Sequence, residues 1–477
     1  MRDEELFYAT TSLCPTCDRL LAARVVGRSD GVFVTRTCPE HGEVAGLLCS
    51  DLDWYRGLDR FDVEPIKPKS PQRAVEHGCP LDCGLCTSHR QIAGTAAIEL
   101  SNRCNANCPV CLADNQTTFE LSVEQVRASV AGLIEAQGSI DVLALSGGEP
   151  TIHPSFFDIL AEVSRPEVRR VAINTNGIRV SRDDAFLDRL AQFDNVYVSL
   201  HYDGTRAKEL RGIDHEVQRR ALERLAKWKI PASPLVLAAA GINDHELGPL
   251  MRSLLLEPHV KSVQLSMLTN AGSGGSSFPG DPHARLTIAG ALARVEETAG
   301  GTLRKRDFIP LPMANPVCAA MGYFLVENGE ITGLIPLGDL DQIIEATKNT
   351  NFAQDDVALE RMLRDVIERM YVDPDQFENA PAIQRKLRGL LERLFPTNAT
   401  PRTTAERRAI VEEHLKTVYL FQFMDAWTFD TVRLSKCSCQ HLMPDGTTIP
   451  SCSYYSYHRK RDPRFAKDLV QLTGKRA

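Results

Sequence analysis

Fourteen cysteines stand in this chain of 477 residues, and most of them fall in groups. Cys104, Cys108 and Cys111 form a C-x3-C-x2-C run just after the short apolar segment of Ala96, Ala97, Ile98 and Leu100. Thiolates gathered this closely on a loop leaving a strand are what an iron–sulfur cluster needs. Three ligands on a four-iron cubane leave one iron open, a place to bind and reduce a small molecule. A structural zinc site would instead show paired C-x2-C units, and unrelated packing thiols rarely fall at this spacing. Cys79, Cys83 and Cys86 repeat the same spacing shortly upstream, with His89 three residues beyond. Such a second triplet takes its fourth ligand from a distant cysteine, from His89, from substrate, or from nothing.

Two further sets lie near the ends. Cys14-Pro-Thr-Cys17 and Cys38-Pro-Glu-His41-Gly42 place four ligands on two facing turns, a tetrahedral site holding one iron or zinc ion. Cys49 competes with His41 as the fourth ligand, and the C-x2-H spacing favours His41. A ribbon this small needs the metal as its main staple. At the other end, Pro-Asp445-Gly446 is a turn that brings Cys452 back beside Cys437 and Cys439. Cys318, alone at the end of a proline-spaced segment, is a candidate to complete four.

The elements that must position these groups alternate between about 96 and 290. Apolar strands (DVLALS, VRRVAINTNG, NVYVSLHYDG, SPLVLAAAGIN, VKSVQLSML) are separated by amphipathic helical stretches. Such alternation implies parallel strands with right-handed crossovers, and ligands gather at the carboxyl ends of the strands. That places Asn174, Asn176, Ser199, His201, Asp203 and Asn243 around one site. The Gly/Ser run at 271–277 reads as a loop. Beyond 355 the pattern reads as helices, the last covering 403–427, with the aromatic stretch from Val418 to Trp427 as a buried core helix or a cavity wall. The expected division is 1–62, a metal ribbon; 63–95, an auxiliary-cluster segment; 96–290, the barrel; and 291–477, a helical region with a further cluster.

Composition excludes several classes. A net charge of −7 argues against nucleic-acid binding through a basic surface. No transmembrane run and no signal core appear, so the expectation is a cytoplasmic protein whose cysteines bind metal and do not form disulfides.

The C-x3-C-x2-C run, followed one βα unit later by Ser146-Gly147-Gly148-Glu149-Pro150, resembles the radical S-adenosylmethionine (SAM) superfamily. The resemblance implies a partial (β/α)6 TIM-like α/β barrel, flanked here by a rubredoxin- or zinc-ribbon-like module and a C-terminal helical and auxiliary-cluster region. It implies a [4Fe–4S] cluster on three cysteines with SAM on the open iron. Only the second triplet follows a strand and precedes the Gly-Gly-Glu-Pro strand, so Cys104, Cys108 and Cys111 are assigned to SAM. Cys79, Cys83 and Cys86, and the set of Cys318, Cys437, Cys439 and Cys452, are assigned one or two auxiliary [4Fe–4S] clusters. Gly147, Gly148, Glu149 and Pro150 are expected at the SAM amino group, and Asn174, Asn176, Ser199, His201 and Asn243 around the rest of the cofactor. Val110 stands where the family often has an aromatic residue.

The combination of CPEHG, GCPLDCGLC, barrel and terminal cysteines is similar to the tetraether lipid synthases and the class D methyltransferase-like proteins. The implied activity is hydrogen abstraction from an unactivated C–H and formation of a carbon–carbon bond on a small-molecule or lipid-like substrate. An electron donor such as ferredoxin or flavodoxin would supply it. Rival readings are C-methylation of a heterocycle such as a pterin, a peptide-modifying radical SAM enzyme, and a non-enzymatic metal-binding protein.

Overall fold

The computed structural model describes residues 4–113, 119–278, 280–351, 356–396, 402–462 and 464. The N-terminal ribbon is a four-stranded antiparallel sheet: β1 (Glu5–Leu13), β2 (Leu20–Arg28), β3 (Gly31–Cys38) and β4 (Gly42–Cys49), in that order. Its two metal turns close β1 to β2 and β3 to β4, so short hairpin chemistry delivers all the ligands to one end of the sheet.

The barrel strands are β5 (Thr95–Ser101), β6 (Ile140–Gly147), β7 (Val168–Thr175), β8 (Val196–Leu200), β9 (Leu235–Ala238) and β10 (Ser262–Met267). Neighbours β5 to β8 pair in parallel, as do β9 and β10. Single bridges through Ala232 and His201 join β8 to the second half. Helices cover the outside, and their ends follow local rules. Val123–Gln137, for example, opens with a Ser122/Gln125 capping box and stops at Gly138, φ +98°.

One face of each strand packs outward in a single large core containing Ile98, Leu100, Leu143, Leu145, Val171, Ile173, Val198 and Leu200. The alternate positions face the lumen and are small: Ala97, Ala144 and Ala172 lie side by side in register, next to Tyr197. Fully closed barrels fill this space with bulky branched side chains. Alanine leaves it hollow.

The C-terminal region completes both open edges of this barrel. β14 (Leu415–Phe421) runs parallel beside β10, and β15 (Cys439–Leu442) runs parallel beside β5. The antiparallel strands β12 (Ala319–Glu327) and β16 (Thr448–Pro450) flank them, with β11 (Ile309–Pro310) and β13 (Glu330–Gly333) on β12. This corrects the reading of 403–427 as one helix. The helix Thr404–His414 ends where strict alternation begins, with even residues of β14 buried outward and odd ones facing the lumen. Thr417, Val418, Tyr419 and Phe421 are β-branched or aromatic, and a parallel neighbour gives them a ladder. The Gly/Ser run is likewise not a plain loop: Gly272–Ser277 forms a short helix, against its low propensity, after the Gly275 N–H donates to Ala271 O at 3.1 Å. The helices Asp356–Val372 and Ala380–Leu394 pack together through Leu363, Ile367, Leu387 and Leu390.

Candidate active site and metal centres

The ribbon brings Cys14, Cys17, Cys38 and His41 together, their ligand atoms all within 4.8 Å of one another. Cys14 Sγ lies 3.6 Å and Cys38 Sγ 3.4 Å from His41 Nδ1, and Cys17 and Cys38 sulfurs are 3.9 Å apart. Three sulfurs and one nitrogen at these separations fit a single tetrahedral ion. Cys49 is elsewhere: it sits opposite Val32 at the far end of β4, and its thiol donates to Asp51 O at 3.3 Å. Burial pushes that thiol up to about 11.

In the barrel, the loop after β5 carries Cys104, Cys108 and Cys111 over the carboxyl ends of the strands. The end of β6 is pressed onto this loop. The Gly148 N–H donates to Ser101 O at 2.7 Å and the Glu149 N–H to Arg103 O at 2.8 Å. A Cβ on Gly147 would stand 2.2 Å from Ser101 O, and one on Gly148 2.1 Å from Arg103 O. Gly147 also has φ +117°, so glycine is required here both for the close approach and for the backbone. The Ala106 N–H donates to Cys104 Sγ at 3.4 Å. Burial pushes the Cys108 thiol up to about 12 and raises that of Cys104. Bare, the Cys104 and Cys108 thiols stay protonated, whereas iron deprotonates its ligands on binding. The donor set fits a cluster ligated at three irons.

Glu149, 1% exposed, is committed to the protein. Its Oε1 accepts from Thr151 Oγ1 at 2.5 Å and Thr175 Oγ1 at 2.7 Å, and its Oε2 accepts from the Asn176 N–H at 2.8 Å. It therefore ties the end of β6 to the turn after β7, where Asn176 Nδ2 donates to Asn105 Oδ1 at 2.8 Å beside Cys104. Gly147, Gly148, Glu149, Asn174, Asn176 and His201 all line one cavity with the three cysteines. Pro150, Ser199 and Asn243 do not line it. Pro150 starts a buried turn. Ser199 Oγ accepts from Gln264 Nε2 at 3.2 Å, and Asn243 closes the loop after β9 by bonding Ala239 N and Leu237 O.

His201 Nδ1 is buried without a hydrogen-bond partner among the described residues, and burial holds its imidazole well below the ordinary range, so the ring is neutral. Arg211 is a lining residue that the sequence reading missed. Its Nε donates to buried Asp203 at 2.8 Å, and the guanidinium faces Cys108 and Cys111. In a short helix an arginine ordinarily reads as solvated. The signal was Asp203, an acid that follows the apolar strand β8.

The terminal cysteines form a second wall of the same cavity, which Cys79, Cys83 and Cys86 do not line. Asp82 accepts the N–H groups of Glu76, His77 and Gly78 at 2.6–2.8 Å and folds the loop that carries Cys79, Cys83 and Cys86. His89 is occupied: its Nε2 lies 3.0 Å from Cys437 O and 3.1 Å from Gln440 Nε2, a hydrogen-bonding and not a ligating position. The hairpin of β15 and β16, turned at Gly446 (φ +83°), returns the chain to Cys452. Cys318, Cys437, Cys439 and Cys452 line the cavity with Cys104, Cys108 and Cys111. The Cys437 thiol is raised by burial, then by Cys452, Cys439 and Cys318; the Cys79 thiol is raised by Cys83, by burial, and by Cys86 and Cys437. Among the described residues only the ribbon gathers ligand atoms tightly enough for one ion. Cubane thiolates each take a separate iron and stand farther apart. Tyr455, also unremarked in the sequence, joins the wall: its hydroxyl lies 3.2 Å from His441 Nε2 and 3.4 Å from Glu99 Oε1.

The cavity measures about 1450 Å³ and runs through the barrel. It begins at the cysteines, passes Ala97, Ala144 and Ala172, and reaches Arg169, Lys261 and Glu412 at the opposite ends of the strands, with Leu363, Val366 and Leu387 beyond.

The Radical SAM superfamily profile matches residues 98–254, and the HMPTM N-terminal zinc ribbon domain matches residues 6–50. The 7,8-dihydro-6-hydroxymethylpterin dimethyltransferase of Methanocaldococcus jannaschii is 24% identical over 490 residues, covering 94% of each chain. Molybdenum cofactor biosynthesis protein 1 of Homo sapiens is 29% identical over 34% of this chain and 24% of its own. The GTP 3',8-cyclase of Klebsiella pneumoniae is 31% identical over 38% of this chain and 56% of its own. The chain thus spans less than two thirds of either of these last two relatives. With the cysteine loop pinned on a parallel barrel and the four-ligand ribbon ahead of it, the chain is a radical SAM enzyme with an N-terminal zinc ribbon.

Proposed function

We propose that this enzyme forms a carbon–carbon bond at unactivated positions of a long apolar chain, a coupling of the kind lipid chains undergo. The observation that carries the reading is the cavity. Ligand sites for compact molecules occupy roughly 300–1,000 Å³; this cavity has about 1450 Å³ with mostly apolar lining, and the cluster and SAM would fill only its cysteine end. A strand of eight residues spans roughly 26 Å at about 3.3 Å per residue, so the lumen accepts an extended chain more readily than a fused heterocycle.

Cys104, Cys108 and Cys111 would hold the [4Fe–4S] cluster, whose chemistry is one-electron cleavage of SAM to methionine and a 5'-deoxyadenosyl radical. Glu149 fixes the Gly-Gly-Glu-Pro end of β6 to the turn carrying Asn176, which sets the shape of the pocket next to Cys104. Arg211 places a cation beside the loop. Neutral His201 offers a hydrogen-bonding nitrogen without adding charge. The apolar wall excludes water from a carbon radical. In the coupling, two C–H bonds break and one C–C bond forms, and the two hydrogens leave as two molecules of 5'-deoxyadenosine. Two SAM and two electrons are consumed, the electrons coming from a carrier such as ferredoxin or flavodoxin. We place the reaction in the cytoplasm, where thiols stay reduced. No helix among the described residues is long and apolar enough to cross a membrane.

A second reading, C-methylation of a pterin, is favoured by one observation, the full-length likeness to a protein named as a pterin dimethyltransferase. Substrate-dependent formation of 5'-deoxyadenosine separates the two. Stimulation by a long-chain dialkyl lipid and not by a hydroxymethylpterin is expected; the reverse would transfer the assignment to the pterin.

A further inference from the structure

Burying several thiolates together is costly unless cations face them. Around the terminal cysteines the candidate cations are few. Lys436 is engaged by Asp62 and by Val63 O, and Arg459 by Glu99. Arg433 remains, the bulkiest of the fully buried side chains at 1% exposure. Its Nε and Nη2 point at Cys318 Sγ at 3.4 and 3.2 Å, while Nη1 donates to Thr428 O at 3.4 Å.

The position of Arg433 is set from outside the site. It sits in the turn of helix Thr431–Ser435, whose N-cap is Asp430. Asp430 in turn accepts from two ribbon side chains, Tyr8 Oη at 2.7 Å and Thr10 Oγ1 at 2.5 Å. The same stretch of chain donates the Met424 N–H to Cys452 Sγ at 3.2 Å. The site therefore has a built-in pair of donors to two of its sulfurs, carried on a segment that the ribbon grips.

We propose that Arg433 is the positioning and charge-balancing residue of the terminal thiolate site, and that its guanidinium raises the reduction potential of the cluster bound there. This rests on the reading of Cys318, Cys437, Cys439 and Cys452 as cluster ligands. The physical reason is direct. A cation hydrogen-bonded to a ligand sulfur, in surroundings that screen poorly, stabilises the reduced and more negative state over the oxidised one. Arg433 bonds the sulfur of Cys318, and it acts through that sulfur.

The test is a redox titration followed by electron paramagnetic resonance on anaerobically reconstituted full-length protein. Cys452→Ser identifies the terminal signal by abolishing or altering it. With iron and sulfide content unchanged, Arg433→Gln is expected to move that signal to a more negative potential, Arg433→Lys is expected to restore part of the shift, and the Cys104/Cys108/Cys111 signal is expected to stay in place. Loss of terminal iron in Arg433→Gln with retention in Arg433→Lys also supports the assignment. An unmoved potential in Arg433→Gln with iron retained, or equal loss of iron in both variants, overturns it. If Cys452→Ser changes neither iron content nor any signal, the cluster reading itself falls, a result distinct from an unmoved potential.

Discussion

At the scale of single residues, the two glycines of the Gly-Gly-Glu-Pro run have a mechanical task that their resemblance to a cofactor-contacting motif does not reveal. They let β6 lie against the carbonyls of the cysteine loop. Gly147→Ala combines a positive φ with a 2.2 Å clash against Ser101 O, a strain of roughly 1–3 kcal/mol. The expected result is a lower melting temperature and fewer irons bound on reconstitution, measured by calorimetry and iron analysis; normal iron content would remove the glycines from the assembly of the loop. His259 provides a second check. Its ring is held down to about 4 against an ordinary 6.5, mainly by burial, and its Nε2 has no partner among the described residues. The folded state refuses a proton that the unfolded chain accepts. This contribution is therefore present above about 6.5, and it is lost as pH falls through the window toward 4. Melting temperature measured between these limits is expected to fall with pH, and less steeply in His259→Gln.

At the scale of elements, the alternation in each strand separates two functions. One face builds the core, and the other leaves a lumen. Because Ala144 and Ala172 face open space, a larger side chain there escapes most of the usual overpacking cost of about 1–3 kcal/mol. Ala144→Leu/Ala172→Leu is expected to keep its melting temperature and its uncoupled SAM cleavage while losing about tenfold or more of long-chain turnover, a loss of roughly 1.4 kcal/mol in transition-state binding. Unchanged turnover would mean that the chain does not lie in the lumen. The six βα units were legible because each strand is a short apolar run punctuated by a helix. β14 was not, because its sequence continues the apolar run of a helix without a glycine or proline between them, and only a neighbouring strand edge decides its state. Arg433 was equally hidden, since nothing local distinguishes a buried arginine from a solvated one, and Arg211 was signalled only by its acid partner Asp203. The cysteine groups were legible because their spacing carries the signal. Their mutual arrangement needed the closure of the barrel, which brings residues more than 300 positions apart to one wall.

At the scale of the whole molecule, the N-terminal ribbon docks on the segment that carries Ala426, Trp427 and Asp430. Arg36 of the ribbon, 4% exposed, donates to Leu13 O at 2.9 Å, Trp427 O at 2.7 Å and Ala426 O at 2.6 Å, and Gly46 packs directly on Trp427. The ribbon is thereby a clamp on the segment that supplies Arg433 and the Met424 N–H. Structural zinc contributes folding free energy of about 10–16 kcal/mol in small finger modules. Cys38→Ser is expected to lose one mononuclear metal ion, to expose the ribbon to proteolysis and to change Trp427 fluorescence. A ribbon that stays protected without its metal would show that docking alone holds it.

The mass of the product tests the coupling in this cavity most directly. Reconstituted enzyme is incubated anaerobically with reductant, SAM and a long-chain dialkyl substrate, beside a Cys104→Ala/Cys108→Ala/Cys111→Ala variant. The wild type is expected to yield a product two hydrogens lighter than its substrate, with two 5'-deoxyadenosines per new bond, and the variant neither. A product heavier by one carbon, or cleavage of SAM that survives in the variant, would contradict it.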